Sequence, residues 1–119
     1  MVEDDELVRR TAVRILREHK YTVLEACAGK EALEVCRRDS DGIDLVLSDV
    51  VMPGMSGIEL SRLVTTKHPD IKVVFMSGYT ENGRKQFDEA EGDVVFVQKP
   101  LIPSELARKV REVLDGNKR

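Results

Sequence analysis

Three short runs in this chain are apolar without any polar alternation: Leu45-Val46-Leu47, Val73-Val74-Phe75-Met76 and Val94-Val95-Phe96-Val97. A strand with one face in water alternates apolar and polar residues. Unbroken runs of this length, bounded by turn formers, are therefore strands buried on both faces. Such strands belong to parallel sheets covered by helices on either side, and the segments between them supply the helices. Leu7, Thr11 and Ile15 fall on one line, with Val8, Ala12 and Leu16 beside it, over a first helix ending near His19-Lys20. Asp5 or Glu6 suits its positive end. Lys30 to Arg38 is a second amphipathic helix, with Ala32, Val35 and Cys36 inward. Ser56 opens a third through Lys67, with Leu60, Leu63 and Val64 inward and Glu59 completing a capping box.

Tyr21 to Ala26 reads as a short strand, and Gly29 breaks it. Thr80 to Gly92 is polar, carries Gly83 and offers only Phe87 and Ala90 to a core; it reads as a weak helix and the least stable segment. The last helix spans Pro103 to Leu114, with Leu106, Val110, Val113 and Leu114 inward. Pro103 suits its first position, but Ile102 has no side-chain oxygen with which to cap it. The expected fold is α/β, a doubly wound parallel sheet with right-handed crossovers, and residues 1–119 form one domain.

The chain of 119 residues is long enough for a real core, and 41% hydrophobic with 34% charged residues describes a globular protein. A formal net charge of −3 argues against non-specific nucleic-acid binding. No apolar stretch reaches membrane-spanning length and no signal peptide precedes Glu3, so a cytoplasmic location is expected. Cys27 and Cys36 read as core thiols, against a disulfide or metal site. His19 and His68, each at the polar end of a helix, give zinc little to bind.

In an open parallel sheet, the residues just past each strand's carboxyl end converge on one edge, where such folds bind ligands. Glu3 and Asp4 follow the first strand, Asp49 the third, Ser77 the fourth and Lys99 the fifth. Alone, Asp49 could hold a metal, act as base or nucleophile, or merely cap the turn of Pro53, Gly54 and Gly57. Three neighbouring carboxylates repel one another and call for a cation, and a hard ion such as Mg²⁺ suits oxygen ligands. With a metal present, one carboxylate can attack phosphorus. Lys99 and the Ser77 hydroxyl are suited to the phosphoryl oxygens.

These residues carry a resemblance. Val2-Glu3-Asp4-Asp5, Leu47-Ser48-Asp49 with Met52-Pro53-Gly54-Met55-Ser56-Gly57, Met76-Ser77-Gly78-Tyr79 and Lys99-Pro100 stand in the order and at the separations of response regulator receiver domains. The resemblance covers nearly the whole chain. It implies a five-stranded sheet in order 2-1-3-4-5, a flavodoxin-like three-layer sandwich with five helices. It implies that Asp49 accepts a phosphoryl group from a phosphohistidine on a histidine kinase or phosphotransfer domain. Asp4, Asp49 and the Val51 carbonyl would ligate Mg²⁺ (or Mn²⁺), with Glu3 acting through a coordinated water. Ser77 and Lys99 would hold phosphoryl oxygens, and Phe96 matches the switch aromatic. The readout would be a population shift on the surface of the fourth helix, fifth strand and fifth helix. Homodimerisation stays open, and neither nucleic acid nor membrane is expected to touch this domain.

Some positions depart from the family. Only Met1-Val2 stand where several apolar residues normally precede the acidic pair, so the first strand is truncated. Leu101 replaces the aromatic often found after Lys-Pro. Val51 and Tyr79 flank the expected path of the hydrolytic water, and neither activates it readily, so a long phosphoryl lifetime is expected. Dehalogenase-type phosphohydrolases need a second Asp two residues after the nucleophile, where this chain has Val51. A receiver that has lost phosphorylation and serves only for docking is disfavoured by the presence of all five site residues. The segments from Phe75 to Asn82 and from Glu105 to Leu114 are most similar to receivers at the C-terminus of hybrid sensor histidine kinases.

Overall fold

The computed structural model describes residues 1–39, 42–77 and 95–115. Its elements are α1 (Glu6–Glu18), α2 (Gly29–Arg38), β1 (Leu45–Asp49), α3 (Gly57–Lys67), β2 (Lys72–Ser77), β3 (Val95–Gln98) and α4 (Pro103–Leu114). The three strands pair in parallel in the order β1-β2-β3, with Leu47 opposite Val74 and Phe75 opposite Phe96. Beyond β1, Val2 forms parallel bridges with Ser48 on one side and Ala26 on the other. Across the sheet the chain therefore runs Ala26, Val2, β1, β2, β3, which is the expected order 2-1-3-4-5.

The two outer positions differ from expectation. Tyr21 to Ala26 is not a strand; it contributes one bridge, at Ala26. A strand is held by its neighbour's main chain, and Met1-Val2 gives this segment a single step of ladder to pair with. The segment from Tyr21 to Ala26 thus keeps a single bridge to Val2.

Strand residues alternate between two helical layers, as a period of two requires. Leu47, Val74, Met76 and Val97 pack against Ala12, Ile15 and Leu16 of α1 and Leu106 and Val110 of α4. Val46 packs on the opposite side with Ala32 and Cys36 of α2 and Leu60 and Val64 of α3. Leu60 and Leu106 are fully buried, and truncating either to Ala costs about 2–5 kcal/mol.

The helix ends follow local chemistry. Asp5 caps α1 by accepting from the Leu7 and Val8 amides at 2.9 and 3.2 Å. The Ser56 hydroxyl accepts from the Glu59 amide at 3.1 Å. Ile102 precedes α4 with no side-chain cap, and Pro103 opens the helix.

Three apolar assignments fail. Leu7 is 74% exposed, because α1 turns Ala12, Val13, Ile15 and Leu16 inward. Leu63 is 40% exposed and Ile58 takes its place, packing with Val50 and Phe75. Cys27 is exposed, while Cys36 is the core thiol expected of both. Cys27 precedes α2, and its thiol donates to Glu31 Oε1 at 3.2 Å. The predicted helix from Thr80 to Gly92 lies outside the described residues, as do Gly78, Tyr79, Val94 and the tail after Asp115. No described helix is long and apolar enough to cross a membrane.

Candidate functional site

The sheet ladder delivers the site residues one by one. Val2 donates to the Leu47 carbonyl at 2.7 Å and accepts from the Asp49 amide at 3.1 Å, which sets Glu3 and Asp4 beside the end of β1. Asp49 stands opposite Met76, so Ser77 ends β2 one step further on. Ser77 stands opposite Gln98, and its carbonyl accepts from the Lys99 amide at 2.8 Å. Glu3, Asp4, Asp49, Ser77 and Lys99 thus meet on one edge, as the strand-end argument requires.

Lys99 Nζ donates to Asp49 Oδ2 at 2.8 Å and lies 3.2 Å from Glu3 Oε1. Burial works against the Lys99 charge, but Asp49 and then Glu3 outweigh it and hold the amine above its usual range. Glu3 is only 1% exposed. Burial, with the nearby Asp49 charge adding to it, pushes the Glu3 carboxyl from 4.5 up to about 7 against the opposing pull of the Asp5 amide and Lys99. Oε2 accepts from the Asp5 amide at 3.0 Å. Oε1 has no hydrogen-bond partner among the described residues, since the Lys99 approach is close but lacks hydrogen-bond geometry.

A buried carboxylate oxygen without a donor is costly, and a cation relieves it. One carboxylate oxygen each from Glu3, Asp4 and Asp49 lies within 4.8 Å of the others, with Asp4 exposed and the other two buried. The all-oxygen set, the mutual repulsion and the orphaned Oε1 fit a hard divalent ion. These three residues could hold a metal. Val51 follows directly; its side chain is exposed, and its amide makes a long 3.4 Å bond to Asp49 Oδ1.

Phe96 is half-buried. Its ring sits 6.1 Å from that of Phe75, tilted by 42°, beside Val50 and Ile58. It belongs to a cluster separate from the one that α1 and α4 cover.

Two contributors have roles that only the fold shows. Arg9 Nη1 donates to the Glu3 carbonyl at 2.9 Å, and its Nε pairs with Glu25 at 3.3 Å. An arginine on a helix flank is ordinary in sequence; only the fold shows that it holds the turn carrying the acidic pair. Gly57 reads in sequence as a strand breaker. In the fold, a Cβ there would collide with the Asp49 carbonyl oxygen, and the Gly57 amide donates to the Val50 carbonyl at 2.8 Å. Close approach, not an unusual φ, makes this position a glycine.

Comparison with known proteins gives the arrangement its context. The model of the response regulator receiver domain matches residues 1–111. The receiver protein CpdR of Brucella abortus is 32% identical over 114 residues, covering 96% of this chain and 93% of that protein. The sensor kinase CckA of Brucella abortus is 43% identical over 115 residues, covering 97% of this chain but 12% of the kinase. The chain thus spans a small part of that relative. A crystal structure of the receiver domain from the hybrid histidine kinase CckA superposes with a TM-score of 0.78 at 35% identity, covering 95% of this chain and 94% of that one. A family match over almost the full length, shared with relatives that are themselves receivers, makes this chain a response regulator receiver domain, the phospho-accepting module of two-component signal transduction.

Proposed function

We propose that Asp49 is the phosphoacceptor. The observation that carries this reading is Lys99 Nζ, held 2.8 Å from Asp49 Oδ2 while Glu3 and Asp4 converge on the same carboxylate. In the transfer, an Asp49 oxygen forms a bond to phosphorus. The phosphorus–nitrogen bond of a donor phosphohistidine breaks, and its electron pair returns to the imidazole. Lys99 moves from its pairing with Asp49 to a phosphoryl oxygen, and the Ser77 hydroxyl donates to another. Asp4, Asp49 and the Val51 carbonyl would hold Mg²⁺ or Mn²⁺, with Glu3 acting through a water. The ion supplies charge neutralisation for the phosphoryl oxygens. Movement of Ser77 toward the phosphoryl group frees space that Phe96 takes, and partners read the change. The donor is a histidine kinase or phosphotransfer domain, and the domain works in the cytoplasm. The similarity to CckA supports a place within a hybrid kinase.

The test is intact-mass analysis after incubation with Mg²⁺ and acetyl phosphate. A single phosphoryl adduct is expected on the parent protein and none on Asp49→Asn. An adduct of equal yield on Asp49→Asn sinks the assignment.

A further inference from the structure

Of the three carboxylates at the sheet edge, Glu3 and Asp49 are buried, while Asp4 is exposed. Packing therefore does not aim Asp4; the backbone that carries it does. That backbone is fixed at three points around Glu3. The Glu3 amide donates to the Ala26 carbonyl at 3.1 Å, Glu3 Oε2 accepts from the Asp5 amide at 3.0 Å, and the Glu3 carbonyl accepts from Arg9 Nη1 at 2.9 Å. The last bond falls on the peptide that joins Glu3 to Asp4, whose atoms lie in one plane. Holding its oxygen holds the step from one acid to the next.

Arg9 is itself held. Its Nε donates to Glu25 Oε1 at 3.3 Å. Arg17 Nη2 lies 3.9 Å from the other Glu25 oxygen and donates to the Val23 carbonyl at 3.0 Å. Two arginines of α1 thus staple the segment from Val23 to Ala26, whose one ladder bridge is at Ala26, and Arg9 carries the staple on to Glu3. The Arg9 side chain is 18% exposed against 56% for Arg17, so Arg9 is the more firmly enclosed of the two.

We infer that Arg9 is a positioning residue for the metal site, oriented by Glu25, and that it acts through its forked guanidinium rather than its charge. The fork matters because the Glu3 carbonyl and Glu25 lie on different segments. A lysine amine carries the same charge but lacks a rigid fork that reaches both at once. The inference rests on Glu3, Asp4 and Asp49 being the Mg²⁺ site.

The test titrates Mg²⁺ into the metal-free protein by calorimetry, well below each variant's thermal midpoint. Arg9→Met is expected to bind about tenfold more weakly than the parent, the scale on which removing residues that orient metal ligands acts. Arg9→Lys should be nearly as weak, and Glu25→Ala should fall between it and the parent. Arg17→Met is the control: it cuts the same segment's staple without touching Glu3, so it should lower the midpoint and keep the parent's affinity. In metal-free protein, hydrogen exchange at the Asp5 amide should speed up in Arg9→Met and stay unchanged in Arg17→Met. Should Arg9→Met not fold, Arg9→Lys and Glu25→Ala decide by the same readouts. Parent-like affinity in Arg9→Met or in Arg9→Lys overturns the inference, as does an equal loss in Arg17→Met. A parent that binds no Mg²⁺ removes the metal site and the inference together, an outcome distinct from a parent that binds and variants that bind equally well.

Discussion

Lys99 Nζ lies 2.8 Å from Asp49 Oδ2 and 3.2 Å from Glu3 Oε1, a single amine shared between two buried carboxylates. With Asp4 beside them, three negative groups face one cation, and that imbalance drives the first two predictions.

Asp4→Asn removes one member of the repelling set. Its thermal midpoint in chelator should rise above the parent's, by the equivalent of about 0.5–1 kcal/mol. In the parent, Mg²⁺ at a hundredfold excess over its dissociation constant should add about 2.7 kcal/mol, and Asp4→Asn should lose most of that gain. Calorimetry with and without Mg²⁺ checks both signs.

Glu3 gives the metal-free protein a pH signature. Its carboxyl titrates near 4.5 when unfolded and at about 7 in the fold. Below about pH 4.5 both states are protonated and the group costs nothing. As the pH rises toward 7, the unfolded chain ionises first, so stability falls, by up to about 3 kcal/mol, and levels off above 7. Other carboxylates titrate too, so the measurement is a difference. Urea melts in chelator should show Glu3→Gln gaining stability over the parent as pH climbs from 4.5 to 7. A flat difference would remove burial as the dominant influence on Glu3.

Two glycines three residues apart should respond differently. Gly54 has φ +83° and open space around it, so Gly54→Ala should cost about 1 kcal/mol through backbone strain alone, with phosphorylation intact. Gly57 has no room, since its Cβ would meet the Asp49 carbonyl. Gly57→Ala should cost at least about 2 kcal/mol and also slow acetyl phosphate labelling, because the backbone of Asp49 must move. Denaturant melts paired with labelling rates separate the two cases.

Lys20 offers a gain. It follows the C-cap His19 at φ 74°, where its amide bonds to the Arg17 carbonyl. A side chain in that conformation is strained and glycine is not, so Lys20→Gly should stabilise by about 0.5–1 kcal/mol. Thermal melts against the parent decide it.

Much of the fold was legible because burial on two faces leaves a plain mark. Leu45 to Leu47 and Val73 to Met76 could only be interior parallel strands, and the carboxylate, hydroxyl and amine after such runs could only gather at one edge. Helix caps were legible at Ser56, and uncapped Ile102 also stood as read, since capping is local chemistry. What failed depended on neighbours. Leu7 has the spacing of a core residue, but the helix buries Ala12, Val13, Ile15 and Leu16 and leaves Leu7 exposed. Cys27 is apolar in composition yet sits at a loop mouth beside Glu31. Tyr21 to Ala26 has strand propensity and lacks a partner edge long enough to express it.

By itself, the sequence determined which groups stand at the strand ends, and therefore that oxygen ligands, a hydroxyl and an amine share one edge. The tertiary structure decided how they meet. Asp49 and Lys99 are 50 residues apart in sequence and 2.8 Å apart in space. That distance comes from the registers of two strand pairs added together, and register depends on packing across the whole sheet. The same packing buries Glu3, orphans its Oε1 and lends it the Arg9 clamp on its carbonyl. A carboxylate's identity is written in the chain; its desolvation depends on what the folded neighbours exclude.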